Sequence, residues 1–465
     1  MRLTHFATTA FVGLLASRTA SADCPQNRPT DPTGFGGYVY STTAKSYATP
    51  EGNGRIWWVE TGTDAPDLTS SRPDGVPDAV ATVGQVLEDS LAFYAQKGFR
   101  PPLRDGNYPS CASNGGDGRI DIYLVAFVGS DGETVTEECT TTAKGAQQCP
   151  GFILVERNFP SKGYATAQQG AQTVVAHELF HMVQDAYDAQ MQRWWAEGTA
   201  QWAMKQKYPQ IMDLEANLPG FFSQVSRPID SPPSGAVAEY LYGAAIWPVF
   251  LGEHRGEDTI RLVMESIGAG NQVLPATDLV LGGMSSSLAD DFGTFAEWNV
   301  ATGKRASAGE GYAEAAKYPE VAVQDFPDGS PAQLTGVTAG FASNYFHATD
   351  PAPRQLALEA DGARLGGYAI PVANGQVQLS AASPLPALVT GEAIVVLAGR
   401  SSQKTDVPWT LTASAPPDAD AGPSASGAAT SSSGGCSIGR TSAGGASMLP
   451  LLLALPWLRR RRRAA

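Results

Sequence analysis

The run Val174-Val175-Ala176-His177-Glu178-Leu179-Phe180-His181 constrains this chain more than any other stretch. It is apolar and helix-compatible, and it sets two histidines four residues apart. On a helix that spacing puts both imidazoles on one face, within reach of one metal ion. Glu178 then sits beside the ion's open position, where a general base is needed. Histidine is scarce, with five in the 465 residues, so chance assembly of the motif is rare. The competing explanation is a packed helix that happens to carry two histidines.

A hydrolytic zinc site takes three protein ligands and keeps one position open. After a polar break the sequence continues Trp194-Trp195-Ala196-Glu197-Gly198-Thr199-Ala200-Gln201-Trp202, a second apolar, helix-compatible run. Glu197 is the expected third ligand. Asp185 competes locally, but it falls two turns past His177, too far along a straight helix to share the ion. Orienting an imidazole from behind is the role left to it. Gly198 and Thr199 fit close packing of the second helix against the first. An ordinary carboxylate at a helix start is the alternative for Glu197.

H-E-L-F-H followed by W-W-A-E-G-T-A-Q-W resembles the gluzincin metallopeptidases, in which a downstream glutamate completes the zinc site. The wider pattern is similar to a metalloprotease family of myxobacteria. It comprises Asp74-Gly75-Val76-Pro77-Asp78, Gly118-Arg119-Ile120-Asp121-Ile122-Tyr123-Leu124 and Tyr240-Leu241-Tyr242-Gly243-Ala244-Ala245, within roughly residues 35–305. The gap from His181 to Glu197 is shorter than in the best-known gluzincins. The resemblance implies an α+β, zincin-like catalytic domain: a small sheet, an active-site helix and a helical lower half. It also implies Zn2+ held by His177, His181 and Glu197, with a protein or peptide as substrate. Glu178 would take a proton from water and pass it to the leaving amine. A further donor is needed for the oxyanion. Tyr242, Tyr240 and His254 are candidates, against a plainer reading as core tyrosines and a surface histidine.

The ends of the chain point to export. Residues 1–22 combine an early arginine, an apolar core and Ala20-Ser21-Ala22, the pattern of a secretory signal peptide. Asp23 before Cys24 argues against a lipoprotein start. Residues near 413–447 are rich in Ala, Ser, Gly and Pro, which reads as a flexible linker. A short apolar run and five consecutive arginines, Arg459 to Arg463, follow. Cys436 in its glycine-rich setting, the apolar run and the arginines together resemble the MYXO-CTERM sorting signal. That resemblance implies processing near Cys436 and display on the outer cell surface; a plain membrane tail anchor is the alternative. The net charge is −14 despite the basic tail. Such a surface repels nucleic acid and suits solubility outside the cell.

Cys24, Cys111, Cys139 and Cys149 remain for the exported body, an even number that fits two disulfides in an oxidising compartment. Cys139 with Cys149 would close a short loop, and Cys24 with Cys111 would tie down the N-terminus. Three connectivities are open, as is Cys111 acting as an inhibitory zinc ligand. Asp64, Asp67, Asp74 and Asp78 crowd the stretch before the first helix. Oxygen-rich clusters of this kind hold Ca2+, though the spacing is not that of an EF-hand and Asp-Gly is a common turn.

Helices are expected over 79–96, 236–268 and 288–300, and strands over 119–127 and 152–155. By the family resemblance, the second strand lies at the sheet edge over the cleft, where an extended substrate could add to it. From about 333 to 413 short strands separated by glycine and proline turns suggest a small β-sandwich. The expected organisation is a signal peptide (1–22), the N-terminal part of the catalytic module (23–115), a zincin-like core (116–305), a β-sandwich domain (333–413), a linker (414–447) and an anchor or sorting segment (448–465). A surface-anchored zinc endopeptidase is the leading reading. A catalytically inactive adhesin or binding protein on a zincin scaffold is the alternative, as is a structural metal site. The retained Glu178 weighs against the second, and the lack of a nearby cysteine against the third.

Overall fold

Six consecutive apolar or paired residues, Ile120–Val125 and again Gly151–Glu156, are buried on both faces, the mark of central strands. The computed structural model describes residues 27–105, 115–235, 238–403 and 405–416. The first sheet comprises β1 (Lys45–Ala48), β2 (Gly54–Trp58), β3 (Ile120–Val125), β4 (Gly132–Thr136) and β7 (Gly151–Glu156), in the order β1-β2-β3-β7-β4. A helix α1 (Asp78–Gln96) follows β2. The pairs β2/β3 and β3/β7 are parallel, and β1 and β4 run antiparallel at the two edges. A small hairpin of β5 (Thr140–Thr141) and β6 (Gln147–Gln148) precedes β7. The disulfide Cys139–Cys149 closes that hairpin.

One sheet face, with Ile122, Leu124, Ile153 and Val155, packs into the main core beneath the helices. The other, with Tyr123, Phe152, Leu154 and Val135, is covered by Phe35, Tyr38, Tyr40 and Trp57. The N-terminal segment is pinned there by Arg28, whose buried guanidinium pairs with Asp105, Asp121 and Glu137. The edge position belongs to β4, not to the 152–155 strand as expected. Residues 152–155 lie inside β7, one strand in, because their side chains are apolar on both faces, whereas the polar GETVT of β4 tolerates an open edge.

Helix α2 (Ala167–Asp188) runs beneath this sheet, and its N-terminus is capped by Thr166, whose hydroxyl accepts from the Gln169 amide at 3.0 Å. Val175, Leu179, Phe180 and Val183 are buried, each side chain stabilising the fold by about 1.5–3 kcal/mol. Tyr94 of α1 donates to the Ala176 carbonyl at 2.9 Å and fixes α2 laterally. The helical half comprises α3 (Arg193–Lys207), α4 (Asp213–Phe222), α5 (Ala238–Gly243), α6 (Ile246–Arg255), α7 (Asp258–Gly268), α8 (Val273–Gly283) and α9 (Leu288–Val300). The stretch 236–268, expected to be helical, holds three helices, α5, α6 and α7.

The second sheet is larger. Its strands are β8 (Gln324–Asp325), β9 (Ala332–Thr338), β10 (Ser343–Ala360), β11 (Leu365–Ala373), β12 (Gln376–Val377), β13 (Ser383–Pro384), β14 (Ala387–Gly399) and β15 (Val407–Ser414). The main order is β12-β11-β14-β10-β15-β9, antiparallel throughout, with β13 on β11 and β8 parallel to β10. Hydrogen bonds join these strands into one sheet, and it folds back on itself along β10, whose register shifts between Asp350 and Arg354, so that the Phe346 and Trp409 rings lie 5.4 Å apart. The long β10 serves β14 along most of its length and β15 at its end. One face of β14 (Ile394, Val396, Ala398) merges into the core of the helical half. The opposite face (Ala393, Val395, Leu397) packs with Trp409 and Leu411 in a core of its own.

Among the described residues no helix is long and apolar enough to cross a membrane. The signal-peptide and tail expectations, with Cys24, Cys111 and Cys436, fall outside the described residues.

Candidate metal centre

Helices α2 and α3 are joined by a tight turn, so α3 folds back against the C-terminal part of α2. His177 and His181, one turn apart on α2, meet Glu197 from the second turn of α3. The two Nε2 atoms are 3.1 Å apart, and they lie 3.3 and 3.4 Å from Glu197 Oε2. Among the described residues this is the one group of three or more such side chains whose ligand atoms converge. Zinc bonds of about 2.0–2.1 Å in a tetrahedron require ligand atoms about 3.3–3.4 Å apart. The observed separations and the two-imidazole, one-carboxylate donor set fit such an ion.

The site is strongly negative. Burial opposes a charge on His181, but the Glu197 and Glu178 carboxylates outweigh it and push its pKa up to about 10. Burial likewise opposes the charge on Glu197, yet hydrogen bonds from both imidazoles hold its carboxyl well below the usual range. The potential that would keep a proton on His181 would equally favour a divalent cation, which competes with that proton.

The tautomer of His181 is set from behind. Its Nδ1 lies 2.7 Å from Gln184 Oε1, while the Gln184 amide nitrogen donates to the Ala196 carbonyl at 2.7 Å and to Thr199 Oγ1 at 2.9 Å. Thr199 in turn donates to the Trp195 carbonyl at 2.7 Å, so its hydroxyl is free to accept. With both amide hydrogens committed, Gln184 presents its oxygen to His181, which places the hydrogen on Nδ1 and the lone pair on Nε2 toward the metal position. Sequence reasoning gave this orienting role to Asp185. Asp185 is buried outside the ligand group, with its carboxyl pushed up to about 7 by burial. Thr199 does bind α2, but Gly198 faces away from it: a Cβ there would sit 3.1–3.3 Å from the backbone of Ala244 and Ala245.

Glu178 projects toward the edge strand. Its Oε2 is 2.7 Å from the Thr134 hydroxyl, which shares its proton between that carboxylate and the Glu178 carbonyl. Gly132 permits this approach, since a Cβ there would lie 2.4 Å from Val174 and 2.9 Å from the Glu178 side chain. Beside the metal group opens a cleft of about 220 Å³ lined by His177, Glu178, Asp131, Tyr164, Asp213 and Tyr242, among others. Larger hollows of about 370 and 540 Å³ lie elsewhere and contain no converging ligand group. The Tyr242 ring meets His177 edge-on at 5.4 Å, and burial with the nearby Glu197 and Glu178 charges raises its pKa, keeping it an O–H donor.

The other candidates are spent elsewhere. Tyr240 donates to the Ile229 carbonyl at 3.1 Å and is a buried strut. His254 stacks on Phe250 and meets Trp298 edge-on. The four aspartates do not assemble a calcium site. Asp64 accepts from the Ala126 amide, Asp67 from Thr69, Asp74 from Arg72 and the Val76 amide, and Asp78 from Ser71. Asp67, Asp74 and Asp78 serve their own local turns, and Asp64 ties its loop to the end of β3. Thr134, Gln184, Tyr164, Asp131 and Asp213 escaped the sequence reading, because each is brought to the site by a tertiary contact that no local spacing marks.

No family model matches this chain, and no curated protein matches its sequence.

Proposed function

We propose that this chain is a zinc-dependent metallopeptidase, exported and held at the cell surface by its C-terminal segment. The observation that carries the reading is the convergence of His177, His181 and Glu197 on one point, with Glu178 on the same helix facing the adjoining cleft. When bound there, zinc supplies Lewis acidity, which lowers the pKa of a water to about 7 and polarises a carbonyl.

The residues of the chain do the rest. Gln184 fixes His181, and Thr134 holds the Glu178 carboxylate toward the cleft. Glu178 accepts the proton of the attacking water and delivers it to the leaving amine. The Tyr242 hydroxyl supplies a donor for the oxyanion. The outer edge of β4 carries no strand among the described residues, so an extended peptide could pair with it and pass Glu178.

The test is metal analysis of the purified exported chain together with a chelator-sensitive casein assay, run on wild type and Glu178→Gln. The expected result is zinc in both proteins and hydrolysis by wild type alone. Equal hydrolysis by Glu178→Gln would remove the assigned base, and a metal-free inactive wild type would remove the function.

A further inference from the structure

The cleft beside the metal group is chemically one-sided. Besides Glu178 its lining includes Asp131 and Asp213, and it includes no lysine or arginine. Asp213 opens α4, and its Oδ2 accepts from the Gln201 amide at 2.6 Å. Asn217, one turn on, donates to the Asp213 carbonyl at 2.8 Å. Across the cleft the Tyr164 hydroxyl donates to Asp131 Oδ2. In each carboxylate the Oδ1 atom receives no protein donor, and neither group joins an ion pair, among the described residues. The neighbouring amides and hydroxyl therefore hold two carboxylates in place without neutralising them. Negative charge gathered in a cavity is costly unless a cation arrives with matching donors.

The room is that of one long side chain, and it opens directly onto His177 and Glu178. We propose that this pocket takes the lysine or arginine side chain of a peptide substrate, gripped by Asp213 and Asp131, so that cleavage falls beside a basic residue. The inference rests on the metallopeptidase reading. Tyr164, Gln201 and Asn217 are then positioning residues for the two carboxylates.

The experiment uses the zinc-loaded full chain and peptides, each in N-acetylated and in unblocked form, that differ at one position, carrying lysine, arginine, norleucine, glutamine or glutamate. Products are identified by mass spectrometry. Lysine and arginine peptides should exceed norleucine by about tenfold or more in kcat/KM. Asp213→Asn and Asp131→Asn should each shrink that ratio, and Asp213→Glu should restore part of it. Binding gives a readout without turnover: Glu178→Gln should bind the lysine peptide about tenfold more tightly than the norleucine peptide. Cleavage without basic preference, or a preference that survives both asparagine variants, would overturn the pocket assignment alone. Cleavage confined to the first bond of unblocked peptides would transfer the charge recognition to a free amino terminus and overturn the side-chain assignment. A wild-type chain that binds no zinc and cleaves nothing would overturn the metallopeptidase reading, and this inference with it.

Discussion

At the scale of single residues, the converging group of His177, His181 and Glu197 was readable because helical spacing leaves little choice. Residues four apart share a face, and Glu197 lay in the next segment able to fold back on that face. Gln184 was passed over because an amide three residues after His181 looks like any solvated helix position; only the tertiary contact to Ala196 and Thr199 shows it is locked. Gln184→Ala should weaken zinc binding roughly 10–100-fold, measured against a competing chelator, whereas a change within twofold would remove its orienting role. The buried cluster around Arg28 gives a pH prediction. Burial pushes Asp121 and Glu137 up to about 7 each, and the Arg28 charge only partly offsets this. A raised carboxyl pKa means the folded chain keeps a proton that the unfolded chain has lost. Stability from these groups is therefore greatest near pH 4 and falls as pH rises toward 7. In urea unfolding, wild type should lose more stability than Asp121→Asn between pH 5 and pH 8. Parallel profiles would contradict this.

At the scale of elements, burial decided what could be read. The strand β7 is apolar on both faces and stands out in the sequence; β4 is short, polar and partly exposed, and did not. Yet β4 is the element that touches Glu178, and Gly132 is what lets it come close. Gly132→Val should cut turnover at least about tenfold while zinc content stays at the wild-type level, because the strand must retreat from α2. Unchanged turnover would mean that the contact between β4 and Glu178 is incidental. The hairpin between Cys139 and Cys149 is tied to α2 through the Cys149 amide, which donates to the Asp185 carbonyl at 3.1 Å. Replacing both cysteines by serine should cost about 3 kcal/mol in unfolding free energy, the loop entropy of a span this short.

At the scale of the whole molecule, short strands are expected from about 333 and β9 begins at Ala332, but a strand pattern does not show what a sheet packs on. Ile394, Val396 and Tyr345 complete the core of the helical half, and Tyr345 donates to the Ala296 carbonyl at 3.1 Å. Strands do fill the stretch expected from about 333 to 413, but their joining into one sheet depends on the length of β10, which no local pattern reveals. A chain ending at residue 322 should therefore lose cooperative thermal unfolding in the helical half as well. Retention of a sharp transition at the wild-type temperature would show that the two parts fold independently.

The proposed chemistry requires Glu197 to close a three-ligand site with His177 and His181. Equilibrium dialysis of the purified protein against zinc tests it directly. Wild type and Glu178→Gln should each retain one zinc per chain, and Glu197→Ala should bind at least about a hundredfold more weakly because a first ligand is gone. Zinc held by Glu197→Ala as tightly as by wild type would contradict it.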